Sequence, residues 1–332
     1  MKKKGRGIAT IMFGFGYGEG FPDHSAASIE IQDNGNLLIK SAAADVGQGV
    51  LTVLTQIAAE VLKLKTDNIK IIQGDTSLTR NSGSSSATRQ TYFSGNAVRL
   101  AAEDLLGKIY HYGSLELNSN HPDMEVEDGY IYRLDEADKK ISLRELAYRV
   151  KDRGEKLEGE GTFFPKTYQL NSNGQSPDLY VAYTFMTQAI DIEVDTETGL
   201  IEVLEVYTAL DLGKAINPLN VEGQIEGGTI QGMGMALMEE QVIEEGITIN
   251  PNMTGYLVPT ASDIPEFHHT LIENRDADGP FGAKGIGEPT LIAASPAIAN
   301  AVYDAIGVRI YSLPLAPDKI LKALKEKEVS NG

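Results

Sequence analysis

An α+β fold of two intertwined hairpin–helix subdomains is what the patterning of this chain predicts. A strand hairpin, a polar or glycine-bearing connection and an apolar helix follow one another from about residue 28 and again from about residue 189. A polar stretch from about 118 to 174 separates the two copies. The 332 residues, 42% of them hydrophobic, hold enough apolar material for one large core or two smaller ones.

In the first copy, Ser28-Ile29-Glu30-Ile31-Gln32 alternates, Asp33-Asn34-Gly35-Asn36 turns, and Leu37 to Lys40 returns as a strand. Gly47-Gln48-Gly49 then leads into Val50 to Leu64, where Val50, Leu54, Ile57, Val61 and Leu62 fall on one helical face. The second copy repeats the order. Ala189 to Val194 alternates, Asp195 to Gly199 turns, Leu200 to Leu210 returns, and Val221 to Met238 reads as a glycine-rich helix carrying Gly223-Gln224 and Gln231-Gly232. The polar stretch holds a short helix at Leu143 to Val150. Ala293 to Ile306 has helical spacing, with Ser295-Pro296 in its first turn, and Lys319 to Lys325 forms a small terminal helix. The expected division groups residues 1–117 with 280–332 as one subdomain and 175–279 as the other, joined by 118–174.

Charge and composition then narrow the function. A balance of 47 acidic against 29 basic residues, net −18, repels phosphate backbones and anionic lipid, which argues against nucleic-acid and membrane partners. With no cysteine the chain holds neither disulfides nor thiolate-bound zinc or iron–sulfur clusters, so any such cluster belongs to another chain. Met1-Lys2-Lys3-Lys4 followed by Ile8 to Phe15 has the outline of a secretory signal, but Gly14, Gly16, Gly18, Gly20 and Glu19 break the apolar run; a cytoplasmic location is expected. The most apolar later run, Leu291 to Val308, carries Ser295, Pro296, Asn300 and Asp304 and is unsuited to a bilayer.

Three stretches have chemistry that folding does not require. In Asp45-Val46-Gly47-Gln48-Gly49, glycines permit close backbone approach, N–H groups at a helix start suit an anion, and the Gln48 amide both donates and accepts; an ordinary turn explains the stretch as well. In Gly83 to Thr91, hydroxyl and amide side chains precede a helix from about Gly95, and Arg89 suits a bidentate phosphate contact; the alternative is a flexible linker. In Gly279 to Pro289, Glu288 stands between Gly287, which permits unusual backbone, and Pro289, which biases Glu288 to an extended conformation. That placement at the lip of an apolar helix suits a general base, and equally a surface carboxylate before a helix. His24, His111, His121, His268 and His269 lack metal-ligand spacing. Phe13, Phe15 and Tyr17 alternate with glycines and either face a planar ligand or fill a core.

Taken in order, Arg6-Gly7, Val46 to Gly49, Ala87 to Tyr92 before Gly95-Asn96-Ala97-Val98, Val221 to Gln224 with Gln231-Gly232, and Ala283 to Pro289 resemble the molybdenum hydroxylases, the family of xanthine dehydrogenase and aldehyde oxidoreductase. The resemblance runs from about Gly5 to Leu324. It implies a fold of the molybdenum-cofactor-binding domain type and a molybdenum–molybdopterin cofactor, in bacteria often the cytosine dinucleotide form. The matching positions Gln48, Gly49, Ser86, Ala87, Thr88, Arg89, Gln90, Thr91, Gln231, Lys284 and Gly287 are implied cofactor contacts, and Glu288 the catalytic glutamate. No side chain would bind the metal itself, because the pterin dithiolene holds it. Phe13, Phe15 or Tyr17 would face the substrate.

The implied reaction is hydroxylation of an electron-poor carbon of an N-heterocycle with water-derived oxygen, started by Glu288. The chain resembles the second molybdopterin-binding half of such enzymes, most closely the medium subunit of a split nicotinate dehydrogenase. That implies a large molybdopterin subunit, an iron–sulfur subunit and an FAD subunit as partners, with activity only in their company. A split xanthine, purine or aldehyde enzyme is the second reading, and a non-catalytic scaffold the third. An ATP-binding reading of Ser84 to Thr91 lacks the Lys-Ser or Lys-Thr of a phosphate loop.

Overall fold

The computed structural model describes residues 1–331, and the two hairpin–helix units are present in it. The chain opens with a long strand, β1 (Lys2–Phe15), followed by the hairpin β2 (Ser25–Ile31) and β3 (Leu37–Ser41). Helix α1 (Val50–Leu62) crosses over to β4 (Ile69–Gln73), which lies parallel to β3. Helix α2 (Gln90–Leu117) follows, then a small sheet of β5 (Met124–Glu127), β6 (Tyr130–Arg133) and β7 (Lys140–Ser142). Helix α3 (Leu143–Asp152) starts on the Ser142 hydroxyl, which accepts from the Glu145 N–H at 3.1 Å. Strand β8 (Glu158–Phe163) ends this half.

The second hairpin is β9 (Ala182–Asp195) and β10 (Ile201–Asp211), followed by α4 (Pro218–Leu237). A two-residue ribbon, β11 (Ile243–Glu244) with β12 (Ile247–Thr248), precedes β13 (Glu266–Ile272), which runs parallel to β10. The chain closes with α5 (Pro289–Ile292), α6 (Ala294–Ile306) and α7 (Pro317–Asn331).

Strand order reads β8-β2-β3-β4 in one sheet and β1-β9-β10-β13 in the other, each with two antiparallel pairings and then a parallel one. The likeness extends to single residues. A Cβ on Gly7 of β1 would overlap the Ala297 carbonyl oxygen and Ala301 nitrogen of α6, and one on Gly161 of β8 would overlap the same atoms of Ala97 and Ala101 in α2. Beside each glycine a backbone N–H meets an aspartate of the covering helix. Arg6 N donates to Asp304 Oδ2 and Glu160 N to Asp104 Oδ2, both at 2.9 Å. Backbone-to-backbone packing this close needs glycine on the strand and alanine on the helix.

The expected grouping of 1–117 with 280–332 does not match this pairing. Strand β1 pairs with β9 from Lys2 opposite Asp195 to Phe15 opposite Ala182, and α6 packs on both, so the two ends of the chain complete the second sheet. The polar segment supplies β8, which completes the first. Hydrophobic spacing identifies each hairpin and helix but carries no information on which distant edge strand adds to a sheet.

Ile29, Ile39, Leu54, Ile57, Leu105 and Ile109 centre one core, and Ile190, Ile192, Val206, Ile298 and Val302 another. Among the described residues no helix is long and apolar enough to cross a membrane.

Candidate cofactor and active site

The three stretches singled out from the sequence come together around one cavity of about 270 Å³. Its walls come from the approach to α1 (Gln48), the start of α2 (Ser86 to Thr91), the first turns of α4 (Asn217 to Gln224) and the segment Ala283 to Glu288. Gln48, Ser86, Thr88, Arg89, Gln90, Thr91, Lys284, Gly287 and Glu288 all line it.

At α1, three of the N–H groups expected to await an anion are already taken by a side chain of the turn itself. The Asp45 carboxylate accepts from Gly47 N at 2.9 Å, Gly49 N at 3.3 Å and Leu51 N at 3.4 Å. Gly49, the N-cap, has φ 79°, and the Gln48 amide closes its own turn, donating to Ala44 O at 3.1 Å and accepting from Val46 N at 2.6 Å. What this turn presents to the cavity is Gln48, not a bare helix terminus.

Arg89 is likewise built inward. Its guanidinium is fully buried, paired with Asp23 at 2.7 Å, donating to Ser82 O at 2.6 Å, Ser84 O at 3.1 Å and His24 O at 2.6 Å, and lying over the Phe93 ring. Both terminal nitrogens are committed, so the bidentate phosphate contact expected of Arg89 is not available. The Gln90 amide donates to Ser84 O at 3.0 Å and accepts from the Ser94 hydroxyl. This internal bonding makes the stretch an ordered turn and lets α2 start at Gln90 instead of near Gly95. The stretch also brings Ser85, Ser86 and Thr88 to the cavity wall, their hydroxyls bonded to Ala44 O, to the Ser84 and Tyr17 hydroxyls and to Glu288 respectively. Ala87 and Thr88 hold φ 53° and 55°, a left-handed backbone that costs non-glycine residues on the order of 1 kcal/mol or more each.

In the third stretch Lys284 is buried and paired with Asp211 at 2.8 Å, while its N–H donates to Leu212 O at 2.9 Å. Any Cβ on Gly285 would overlap the Thr88 carbonyl oxygen, so this segment and the Ser-rich turn touch backbone to backbone. Glu288 is half-buried and N-caps α5 with φ −70° and ψ −34°. That is helical, not the extended conformation expected before proline; Pro289 takes the first helical position, where its missing N–H costs nothing, and the preceding residue turns with it. Gly287 is absent from the left-handed glycines, so its role is not a special φ. Glu288 Oε2 accepts from the Thr88 hydroxyl at 2.6 Å, and Thr88 Oγ1 in turn accepts from Glu288 N at 3.0 Å.

Some expected residues lie elsewhere. Gln231 is exposed on α4 and does not line the cavity; the glutamine that does is Gln224, about two helical turns nearer the N-terminus. Phe15 is fully buried, edge-on to Tyr92, and Phe13 packs beside the same aromatic cluster. Tyr17 reaches the rim, its hydroxyl 2.7 Å from that of Ser86. The sequence motifs include Gln224 without giving it a role and do not include Lys214, Asn217 or Asn220; all four are on the cavity wall. Helical spacing from the N-cap Asn217 puts Asn220 and Gln224 on one face, and that signal was present.

Charge around the site is internally balanced. Both oxygens of Glu273 accept from Lys214 at 2.9 Å, and that bond holds the Glu273 carboxyl below its ordinary value. Burial and a 2.7 Å bond to Asp276 push the Tyr92 hydroxyl well above the usual range. Among the described residues no cluster of three or more His, Asp or Glu side chains could hold a metal. A largely apolar cavity carrying a few amides and hydroxyls and one anchored carboxylate, with no metal-ligand cluster among the described residues, fits an organic chelate that brings its own metal ligands.

Fold and cavity together define a binding domain in which two half-repeats line one shared cavity. Residues 1–265 match the molybdopterin cofactor-binding domain, and the chain belongs to that family, the molybdopterin-binding subunits of the xanthine dehydrogenase and aldehyde oxidoreductase type. It is 33% identical over 326 residues to the probable hypoxanthine oxidase XdhD of Escherichia coli K12, covering 97% of this chain and 32% of that protein. It is 34% identical over 332 residues to the gamma subunit of the 6-hydroxypseudooxynicotine dehydrogenase complex of Paenarthrobacter nicotinovorans, covering 96% of this chain and 39% of that one. Quinoline 2-oxidoreductase from Pseudomonas putida 86 superposes with a TM-score of 0.84 at 27% identity, over 98% of this chain and 42% of the larger one. The chain thus spans well under half the length of these relatives.

Proposed function

We propose that this chain is the molybdopterin-binding catalytic part of a multi-chain hydroxylase acting on an N-heterocycle, nicotinate favoured, with Glu288 as its base. One observation carries the reading: the Glu288 carboxylate stands on the wall of the same cavity as Gln48, Ser86 and Gln224, held there by Thr88.

Gln48, Ser86, Asn220 and Gln224 would hold the pterin system by amide and hydroxyl hydrogen bonds. The bound cofactor would supply the two-electron redox centre. Thr88 occupies Glu288 Oε2, which leaves Oε1 to take up a proton. The Lys284–Asp211 pair and the Gly285–Thr88 contact keep the carboxylate's segment in place, and Tyr17 with Ser86 borders the entrance. A cytosine dinucleotide form of the cofactor, a large molybdopterin subunit, iron–sulfur and FAD subunits, and a cytoplasmic location complete the proposal. The relative named for 6-hydroxypseudooxynicotine supports a pyridine-type substrate, and the relative named for hypoxanthine supports a purine as the second reading.

The test is the purified complex containing this chain, with molybdenum and pterin content measured and nicotinate, xanthine and an aldehyde assayed side by side. Wild type is expected to oxidise nicotinate fastest, and Glu288→Gln to assemble with full cofactor and lose turnover. Unchanged turnover in Glu288→Gln would leave this chain a scaffold, and a wide preference for xanthine would replace nicotinate by the purine reading.

A further inference from the structure

We propose that Thr88 is the positioning residue of Glu288: one hydroxyl fixes both the backbone and the carboxylate of the base and so decides which carboxylate oxygen is free. The inference rests on the reading of Glu288 as the base.

Hydrogen-bond direction is settled here without seeing the proton. The Glu288 N–H can only donate, so Thr88 Oγ1 accepts it at 3.0 Å, and the single hydroxyl proton is then available for Glu288 Oε2 at 2.6 Å. Donation to an ionised carboxylate is the stronger kind of hydrogen bond. Among the described residues Thr88 is the hydrogen-bond partner of this carboxylate, for the cations on the cavity wall are engaged elsewhere: Arg89 with Asp23, Lys284 with Asp211 and Lys214 with Glu273. Among the described residues Oε1 has no hydrogen-bond partner.

The backbone is bent to make this contact. Thr88 holds φ 55°, unusual for a β-branched residue, directly after Ala87 at φ 53°. Strain of this kind persists where surrounding structure over-determines it, and here the Thr88 carbonyl is pressed against Gly285, three residues before Glu288. The two residues also occupy like places in the repeat. They are 200 positions apart, the same offset that relates Ala97 to Ala297, Ala101 to Ala301 and Asp104 to Asp304 in the two strand–helix contacts. Thr88 leads into α2 and Glu288 into α5 and α6, so base and anchor meet where the half-repeats face each other.

Thr88→Val, Thr88→Ser, Glu288→Gln and the double variant Thr88→Val/Glu288→Gln, each in the purified complex, test the assignment. Thr88→Val keeps the β-branch and removes the hydroxyl. It is expected to keep molybdenum and pterin at wild-type content, lower kcat by about 10- to 100-fold and leave KM within about twofold. Thr88→Ser should recover the rate to within about threefold, and the double variant should be no slower than Glu288→Gln alone. If Thr88→Val does not assemble, Thr88→Ala carries the same expectation, since Ala87 already holds a methyl side chain on this backbone. Wild-type kcat in Thr88→Val beside an inactive Glu288→Gln would overturn the positioning role and leave the base intact. Loss of cofactor without recovery by serine would overturn it by making Thr88 a cofactor contact. Turnover in Glu288→Gln would instead remove the base on which the proposal stands.

Discussion

Arg89 and Asp23 form an ion pair of 2.7 Å in which the guanidinium is fully buried and the carboxylate 8% exposed. The pair ties the Ser-rich turn to the segment after β1, because the same guanidinium also bonds the carbonyls of Ser82, Ser84 and His24. Asp23→Asn leaves that cation without its counter-charge, and breaking a buried pair costs on the order of 3–5 kcal/mol. Arg89→Lys is expected to destabilise as well, since an ammonium cannot reproduce the planar fork. Thermal melts of the complex check this: both variants should melt below wild type, and a wild-type melt for Asp23→Asn would show the pair to be dispensable.

Gly161→Ala and Gly7→Ala place a methyl against helix backbone that cannot rotate away, on α2 and α6 respectively. Overpacking of this kind costs about 1–3 kcal/mol. Chemical denaturation midpoints should fall in both, and by similar amounts, since the two contacts repeat one another.

Gln224→Ala is expected to lower molybdenum and pterin content of the purified complex, and Gln231→Ala to leave it unchanged, because only Gln224 lies on the cavity wall. Equal retention in the two variants would mean that the cofactor does not use this face of α4.

Glu273 supplies a pH prediction. The hydrogen bond from Lys214 holds its carboxyl below the ordinary 4.5, so its contribution to stability is fully present above 4.5 and is lost as pH falls through the lowered folded value. Glu273→Gln should therefore lower stability modestly at neutral pH, leave it little changed at the acid end, and so flatten the acid limb of the stability–pH curve. Urea midpoints measured across the acid range decide it; an unaltered acid limb would assign that loss to other carboxylates.

Most of the local structure was legible. The hairpins at Ser28 to Lys40 and Ala189 to Leu210, and the helices at Val50, Leu143, Val221 and Ala293, follow from alternation, turn residues and helical spacing, which are short-range properties. So were the three stretches that meet at the cavity, because glycines and small polar residues before a helix have few structural reasons to recur. The use of each residue was less legible. Arg89 reads as a free cation until Asp23, 66 positions earlier in the chain, is seen to neutralise it, and the anion site before α1 exists only until Asp45 folds back on it. Glu288 turns helically where a rule about its neighbour alone predicts extension. Gln231 and Gln224 belong to the same glycine-rich motif, and only the phase of α4 against the cavity separates them.

By itself the sequence determined the elements and the cofactor family and singled out the carboxylate proposed as the base, because periodicity, composition and ordered motifs are written along the chain. Tertiary structure alone decided the exchange of edge strands β1 and β8 between the sheets, the burial of Arg89 and the bond from Thr88 to Glu288. Each of these joins residues far apart in the chain, where the partner is set by which surfaces remain unpaired once the local elements have formed.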